Sequence, residues 1–127
     1  MKYNYKFSEI TYKSGRKSLI IEVDKEIQLL ANFLMSDIQG SDPSYVYEAI
    51  DKVINEESSY EEINGNMCGV EIRKDYTMIY NNLAPDGIGN YCRIETSELR
   101  EFIEKWNDKI IKYKTQQGCW VLYLFAK

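Results

Sequence analysis

The chain has 127 residues, of which 44% are apolar and 28% charged, with a formal net charge of −4 and no histidine. This length and composition predict one globular domain spanning residues 1–127. The absence of histidine excludes Ser-His and Cys-His catalytic dyads and the usual zinc hydrolases.

The N-terminal half predicts a hairpin followed by two helices. Alternating aromatic residues and an apolar run, separated by a Ser14-Gly15-Arg16 turn, indicate a hairpin over residues 3–23. A change of phase near Ser8 and Glu9 predicts a β-bulge there. Asp24 is the predicted N-cap of a helix that ends at Gly40. Asp42 is the predicted cap of the second helix, with Pro43 in its first turn.

The C-terminal half predicts mainly strands and one long helix. Residues 60–81 alternate in polarity and contain the turn residues Asn64-Gly65 and Lys74-Asp75, which indicates a three-strand meander. A loop over 81–90 is a functional candidate, and a short strand follows it. Thr96 or Ser97 should begin a helix that continues to about Lys114. The apolar segment 119–126 is a predicted final strand, with a docked apolar tail as the alternative. The resulting order ββααββββαβ defines an α+β fold, with helices packed on a mainly antiparallel sheet.

Cysteine content and hydropathy favour a cytoplasmic protein. The three cysteines are widely spaced and form no CxxC pair, so reduced thiols are expected rather than a disulfide framework. We find no secretory signal pattern, and the longest apolar run, residues 119–126, is too short to cross a bilayer. A membrane partner is therefore not expected. No bound cofactor or metal is expected either.

Negative charge is concentrated in the second quarter of the chain. Residues 37–62 hold eight acidic residues and one lysine, which gives this segment a net charge of −7. Such a segment repels nucleic acid and attracts basic protein surfaces, and the tyrosines within it could supply contact area. The predicted partner-binding residues are Asp42, Tyr45, Tyr47, Glu48, Asp51, Glu56, Glu57, Tyr60, Glu61 and Glu62.

Other interpretations of these residues stay open. The acidic segment could be a solvated helix face and loop that serve only solubility. Glu48 and Asp51 share a helix face, so a carboxylate-based, metal-dependent enzyme is a second alternative, although no DxDxDG loop or Gly-rich phosphate cradle accompanies them. Tyr76 and Tyr80 could stack on bases, but the acidic balance and the lack of an RNP motif oppose nucleic-acid binding.

Two stretches resemble small immunity proteins of contact-dependent growth inhibition and related polymorphic toxin systems. They are SLIIEVDKEIQLLANFLMSDIQG at residues 18–40 and IETSELREFIEKW at residues 94–106. The resemblance implies a non-catalytic cytoplasmic antitoxin that binds a cognate toxin domain, often a basic nuclease, and occludes its active site. It assigns no binding residue. A general adaptor or regulatory protein-binding domain is the alternative function.

Overall fold

The computed structural model describes residues 2–38, 42–65, 67–82 and 91–114. The strands are β1 (Tyr5–Thr11), β2 (Lys17–Val23), β3 (Glu61–Asn64), β4 (Cys68–Ile72), β5 (Tyr76–Asn81) and β6 (Tyr91–Glu95). The helices are α1 (Gln28–Phe33), α2 (Ser44–Ile54) and α3 (Thr96–Lys114). All strand pairs are antiparallel, which confirms the predicted α+β fold. The predicted loop over 81–90 and the predicted strand over 119–126 lie largely or wholly outside the described residues.

The N-terminal hairpin forms a sheet of its own. β1 and β2 pair without interruption from Tyr5 opposite Val23 to Thr11 opposite Lys17. The predicted bulge near Ser8 and Glu9 is therefore wrong. The polarity pattern changes there because the distal end of the hairpin leaves the core, and Ile10 is 41% exposed. Gly15 has a φ of +89°, which glycine adopts without strain, and it forms the turn as predicted.

The first helical segment has three geometries in succession. A 3₁₀ turn, Lys25–Ile27, leads into α1, and a π turn, Leu34–Ile38, follows it. The predicted apolar stripe is buried along this segment at Ile27, Leu30, Ala31, Phe33, Leu34 and Ile38. Asp24 occupies the predicted N-cap position directly before the 3₁₀ turn, but its carboxylate makes no cap hydrogen bond. It accepts instead from the backbone N–H of Asn4 at 3.1 Å, which ties the chain before β1 to the end of β2.

The second sheet is a four-stranded meander in the order β3-β4-β5-β6. Alternate residues of β4, β5 and β6 face the helices and are buried: Cys68, Val70, Ile72, Thr77, Ile79, Cys92 and Ile94. α1 packs against β4, β5 and β6, while α2 packs against β3 and β4. All three helices thus contact the four-stranded sheet, and period-2 alternation separates its covered face from its open face.

The last helix joins the two sheets. α3 packs against β5, β6 and β2, and its buried stripe is Leu99, Phe102, Ile103, Trp106 and Ile110. The ring of Phe7 stacks on Trp106, with centroids 6.3 Å apart. The hydroxyl of Thr96 is buried and lies 2.9 Å from the hydroxyl of Thr77. Among the described residues, no helix is long and apolar enough to span a bilayer.

Candidate functional site

Helix α2 carries the first of the predicted partner-binding residues. It begins at Ser44, and the Asp42 carboxylate accepts hydrogen bonds from the Ser44 backbone N–H at 3.0 Å and from its hydroxyl. The apolar side of the helix, Val46, Ala49, Ile50 and Val53, is buried. Tyr45 is 43% exposed, and Glu48 is also exposed. The N-terminal part of α2 therefore presents one tyrosine and one carboxylate to solvent.

Tyr47 and Asp51 lie on the side of α2 that faces α3. Arg100 of α3 donates from Nε to the Asp51 carboxylate at 3.1 Å. Its guanidinium group lies 5.0 Å from the ring centroid of Tyr47 and also forms an ion pair with Glu104. Both predicted contact residues on this side are thus held by an arginine from a distant part of the chain. The ion pair between Arg100 and Asp51 also joins α3 to α2, which gives both residues a structural role.

The segment after α2 contains Glu56 and Glu57. Lys74, in the turn between β4 and β5, donates to the Glu56 carboxylate at 2.6 Å. This hydrogen bond, with the charge of Lys74, lowers the pKa of Glu56. Glu57 is exposed, and its carboxylate forms no ion pair or hydrogen bond with any residue that the structure describes. Of these two neighbouring acids, only Glu57 keeps a charge that no described side chain compensates.

Edge strand β3 and the residue before it supply the remaining candidates. Tyr60 donates its hydroxyl to the Glu62 carboxylate at 2.7 Å, and its ring lies 4.8 Å from the guanidinium of Arg73. The hydrogen bond to Glu62 is the largest cause that raises the pKa of Tyr60 to about 12, and desolvation is the next. Glu61 accepts from the Ser58 hydroxyl at 2.8 Å. Neither Glu61 nor Glu62 has an ion-pair partner among the described side chains.

The ten candidates lie on α2, on the residues flanking it and on β3, elements that pack against each other. Tertiary contacts reduce the charge expected from the sequence, because Arg100 and Lys74 each neutralise one acid. Asp37, the first acid of the segment, accepts from the backbone N–H groups of Met67 and Cys68, so it fixes the turn before β4. Whether the ten contact a partner stays a prediction. We define the acidic surface as Glu48, Glu57, Glu61 and Glu62. At the sheet edge it includes both faces, because the register places Glu61 opposite buried Ile72 and Glu62 opposite Glu71 of the other face.

Most residues on the open face of the four-stranded sheet were not among the predicted partner-binding residues; the exceptions are Tyr60 and Glu62. It presents Glu71, Arg73, Tyr76, Met78, Tyr80, Tyr91 and Arg93, all half-buried or exposed. The sequence did contain the alternation that separates the two faces of the sheet, because these residues alternate with the buried ones in three predicted strands. Which of the two faces the helices leave open could not be deduced from the alternation.

The groups that could hold a metal or act as nucleophiles are dispersed. Within the four described ranges, no group of three or more Cys, Asp or Glu side chains lies close enough to hold a metal ion. Cys68 and Cys92 are buried free thiols, and desolvation raises the pKa of each to about 11. Such thiols are protonated at neutral pH and are poor nucleophiles. Cys119 lies outside the described residues.

The fold and the site define a small α+β domain that presents an acidic helix and strand beside an open sheet face rich in tyrosine. No protein-family model matches the chain, and no solved structure matches it. An "Immunity protein" of Bacillus cereus is 40% identical over 114 residues, covering 90% of this chain and 93% of the relative. The chain therefore belongs to the immunity proteins.

Proposed function

We propose that this protein protects the cell that makes it by binding a cognate toxin domain in the cytoplasm and occluding its active site. The observation that carries this proposal is the 40% identity to an immunity protein along nearly the whole of both chains. Inhibition by occlusion requires a complementary surface and no chemistry from the inhibitor. The dispersed carboxylates and protonated thiols of the described residues are consistent with a non-enzymatic role.

We further propose that the toxin is basic and acts on nucleic acid. A nuclease must attract phosphate, so the rim of its active site is expected to carry Lys and Arg side chains. Glu48 and Glu57 are exposed and form no ion pair with any described side chain, and Glu62 is exposed at the sheet edge. Carboxylates placed in this way would compete with phosphate for the same cationic groups and would accelerate association.

Direct binding tests the proposed function. The probe is a candidate toxin domain, taken as the product of the adjacent gene, which is produced separately from this protein, purified under denaturing conditions and refolded. We expect one-to-one binding with a Kd below 1 µM, on the order of known specific protein complexes. Co-expression should also restore growth to cells that produce the toxin domain. Failure to bind, or continued growth arrest with both proteins present, would exclude the proposal, and an unrelated toxin domain is the control.

The nature of the toxin is tested separately. The purified toxin domain is incubated with DNA and RNA, with and without a molar equivalent of this protein. We expect cleavage of one of them and its suppression by the immunity protein. A toxin domain that binds this protein tightly but cleaves neither substrate would contradict the nuclease assignment while leaving the immunity function intact.

A further inference from the structure

The open face of the four-stranded sheet is built from three cross-strand rows. The register places Glu71 opposite Met78 and Met78 opposite Arg93, and it places Tyr80 opposite Tyr91 and Tyr76 opposite Glu95. Side chains directly opposite each other on one face lie within contact distance. The face is therefore a continuous array of long side chains, and the tyrosine rings of Tyr80 and Tyr91 have centroids 6.2 Å apart.

Tyr76 lies between two arginines on this face. The guanidinium carbon of Arg93 is 4.0 Å from the Tyr76 ring centroid, and that of Arg73 is 5.5 Å from it. Arg73 also lies over the Tyr60 ring. Stacking fixes the plane of a guanidinium group while leaving its N–H edge available, so less side-chain entropy is lost when it binds a carboxylate.

The two arginines differ in their counter-charges. Arg73 has Glu71 at 3.8 Å, whereas Arg93 is exposed and forms no ion pair with any described residue. Elsewhere on the structure, stacked Arg100 is neutralised by Asp51 and Glu104. Within the described residues, Arg93 is thus a positive charge that Tyr76 orients and that has no ionic partner, and it lies beside Met78 and Tyr91, which is 53% exposed.

From this geometry we infer that the tyrosine–arginine face, defined as Tyr60, Arg73, Tyr76, Met78, Tyr91 and Arg93, is the main contact surface for the toxin domain. The inference rests on the proposed function. Tyr, Arg and Met are the residue types enriched in protein interfaces, and buried Tyr and Arg dominate their energetics. The partner chemistry that fits is a protein surface with an apolar centre and a carboxylate that pairs with Arg93.

This face and the acidic surface are joined at the sheet edge. Tyr60 and Glu62 of that edge interact with each other, and Tyr60 also contacts Arg73 of the tyrosine–arginine face. One toxin domain could therefore place basic side chains against the acidic surface and its carboxylate against Arg93. The acidic surface would then affect mainly the association rate, and the tyrosine–arginine face mainly the dissociation rate.

Substitutions at Arg93 test the inference with the same toxin domain as probe. Arg93→Gln removes the charge, and Arg93→Glu reverses it. We expect the Kd to rise about 10-fold for Arg93→Gln and more than about 30-fold for Arg93→Glu, because the partner carboxylate would then be repelled. The matched control is Arg16→Glu, since Arg16 is an exposed arginine stacked at 4.8 Å on Tyr12 at the hairpin tip. The control should keep the wild-type Kd.

A second pair of variants tests the aromatic contact. Tyr91→Ala should raise the Kd at least about 10-fold, mainly through faster dissociation, whereas Tyr12→Ala at the hairpin tip should not. Both tyrosines are exposed, so thermal unfolding should show folded variants. Wild-type affinity in Arg93→Glu and Tyr91→Ala would overturn the inference. Equal Kd values for Arg93→Gln and Arg93→Glu would contradict the claim that a carboxylate of the toxin domain pairs with Arg93. If the wild-type protein itself does not bind, the proposed function fails instead.

Discussion

The contact between Asp37 and the turn after β3 gives a quantitative prediction about stability. The Asp37 carboxylate accepts from the backbone N–H of Met67 at 3.1 Å and of Cys68 at 3.0 Å. A Cβ atom added at Gly65 would lie 2.5 Å from Asp37 Oδ2, which is too close for a non-bonded carbon–oxygen contact. Gly65→Ala must therefore displace a carboxylate whose two oxygens both hold backbone hydrogen bonds.

The magnitude follows from the bonds that are lost. A hydrogen bond to a charged group contributes about 1.5–3 kcal/mol, and Asp37 is only partly buried, so the lower end applies to each of its two bonds. Asp37→Ala should lower the free energy of unfolding by about 3 kcal/mol. Gly65→Ala should lower it by about 2–3 kcal/mol, because the displaced carboxylate loses most of the same interactions.

A double-mutant cycle isolates the clash. With Asp37→Ala already present, the obstacle is gone and Gly65→Ala should cost less than about 0.5 kcal/mol, so the coupling energy is about 2 kcal/mol. The assay is urea unfolding of the wild-type protein, both single variants and the double variant, followed by tryptophan fluorescence. Additive losses, with coupling below about 0.5 kcal/mol, would refute the assigned role of Asp37.

Two further predictions concern charge. The hydrogen bond from the Tyr3 hydroxyl, followed by that from Lys2, lowers the pKa of Glu95 from 4.5 to about 2. A lowered folded-state pKa stabilises the fold above pH 4.5, and this contribution is lost as the pH falls towards 2. At pH 7 the free energy of unfolding of Glu95→Gln should therefore lie below that of the wild type, and this difference should shrink at pH 2.5. An equal difference at both pH values would contradict the linkage. Replacing both Glu48 and Glu57 by Gln should slow association with the toxin domain a few-fold at low salt and leave dissociation unchanged. Glu101→Gln is the control in stopped-flow measurements. An unchanged association rate in the double variant would show that the acidic surface plays no part in association.

Most elements of the fold were predictable from local sequence. The apolar residues that the polarity pattern places on the covered face of β4, β5 and β6 are buried, although the alternation is not strict, because Gly69 of β4 is buried as well. α3 follows its apolar stripe from Leu99 to Ile110. The hairpin register could not be deduced in this way, because the phase change at Ser8 and Glu9 reflects loss of burial at the hairpin end rather than an extra residue. Asp24 lies at the predicted N-cap position, but its carboxylate makes no cap hydrogen bond and accepts instead from Asn4, 20 residues away.

The candidate site was only partly predictable, since a charge count along the chain omits partners from distant segments. The acidic segment is visible in the sequence, but Arg100 reaches Asp51 across 49 residues and Lys74 reaches Glu56 across 18. Asp37 likewise points at the backbone of residues 67 and 68 rather than at solvent.

The sequence by itself determined the element types, the apolar faces and the total charge, because each depends on the order of neighbouring residues. Only the tertiary structure decided which carboxylates lack a compensating charge among the described residues and which sheet face the helices leave open. Both are decided by where helices pack, since burial and ion pairing act between groups close in space, however far apart they are in the chain.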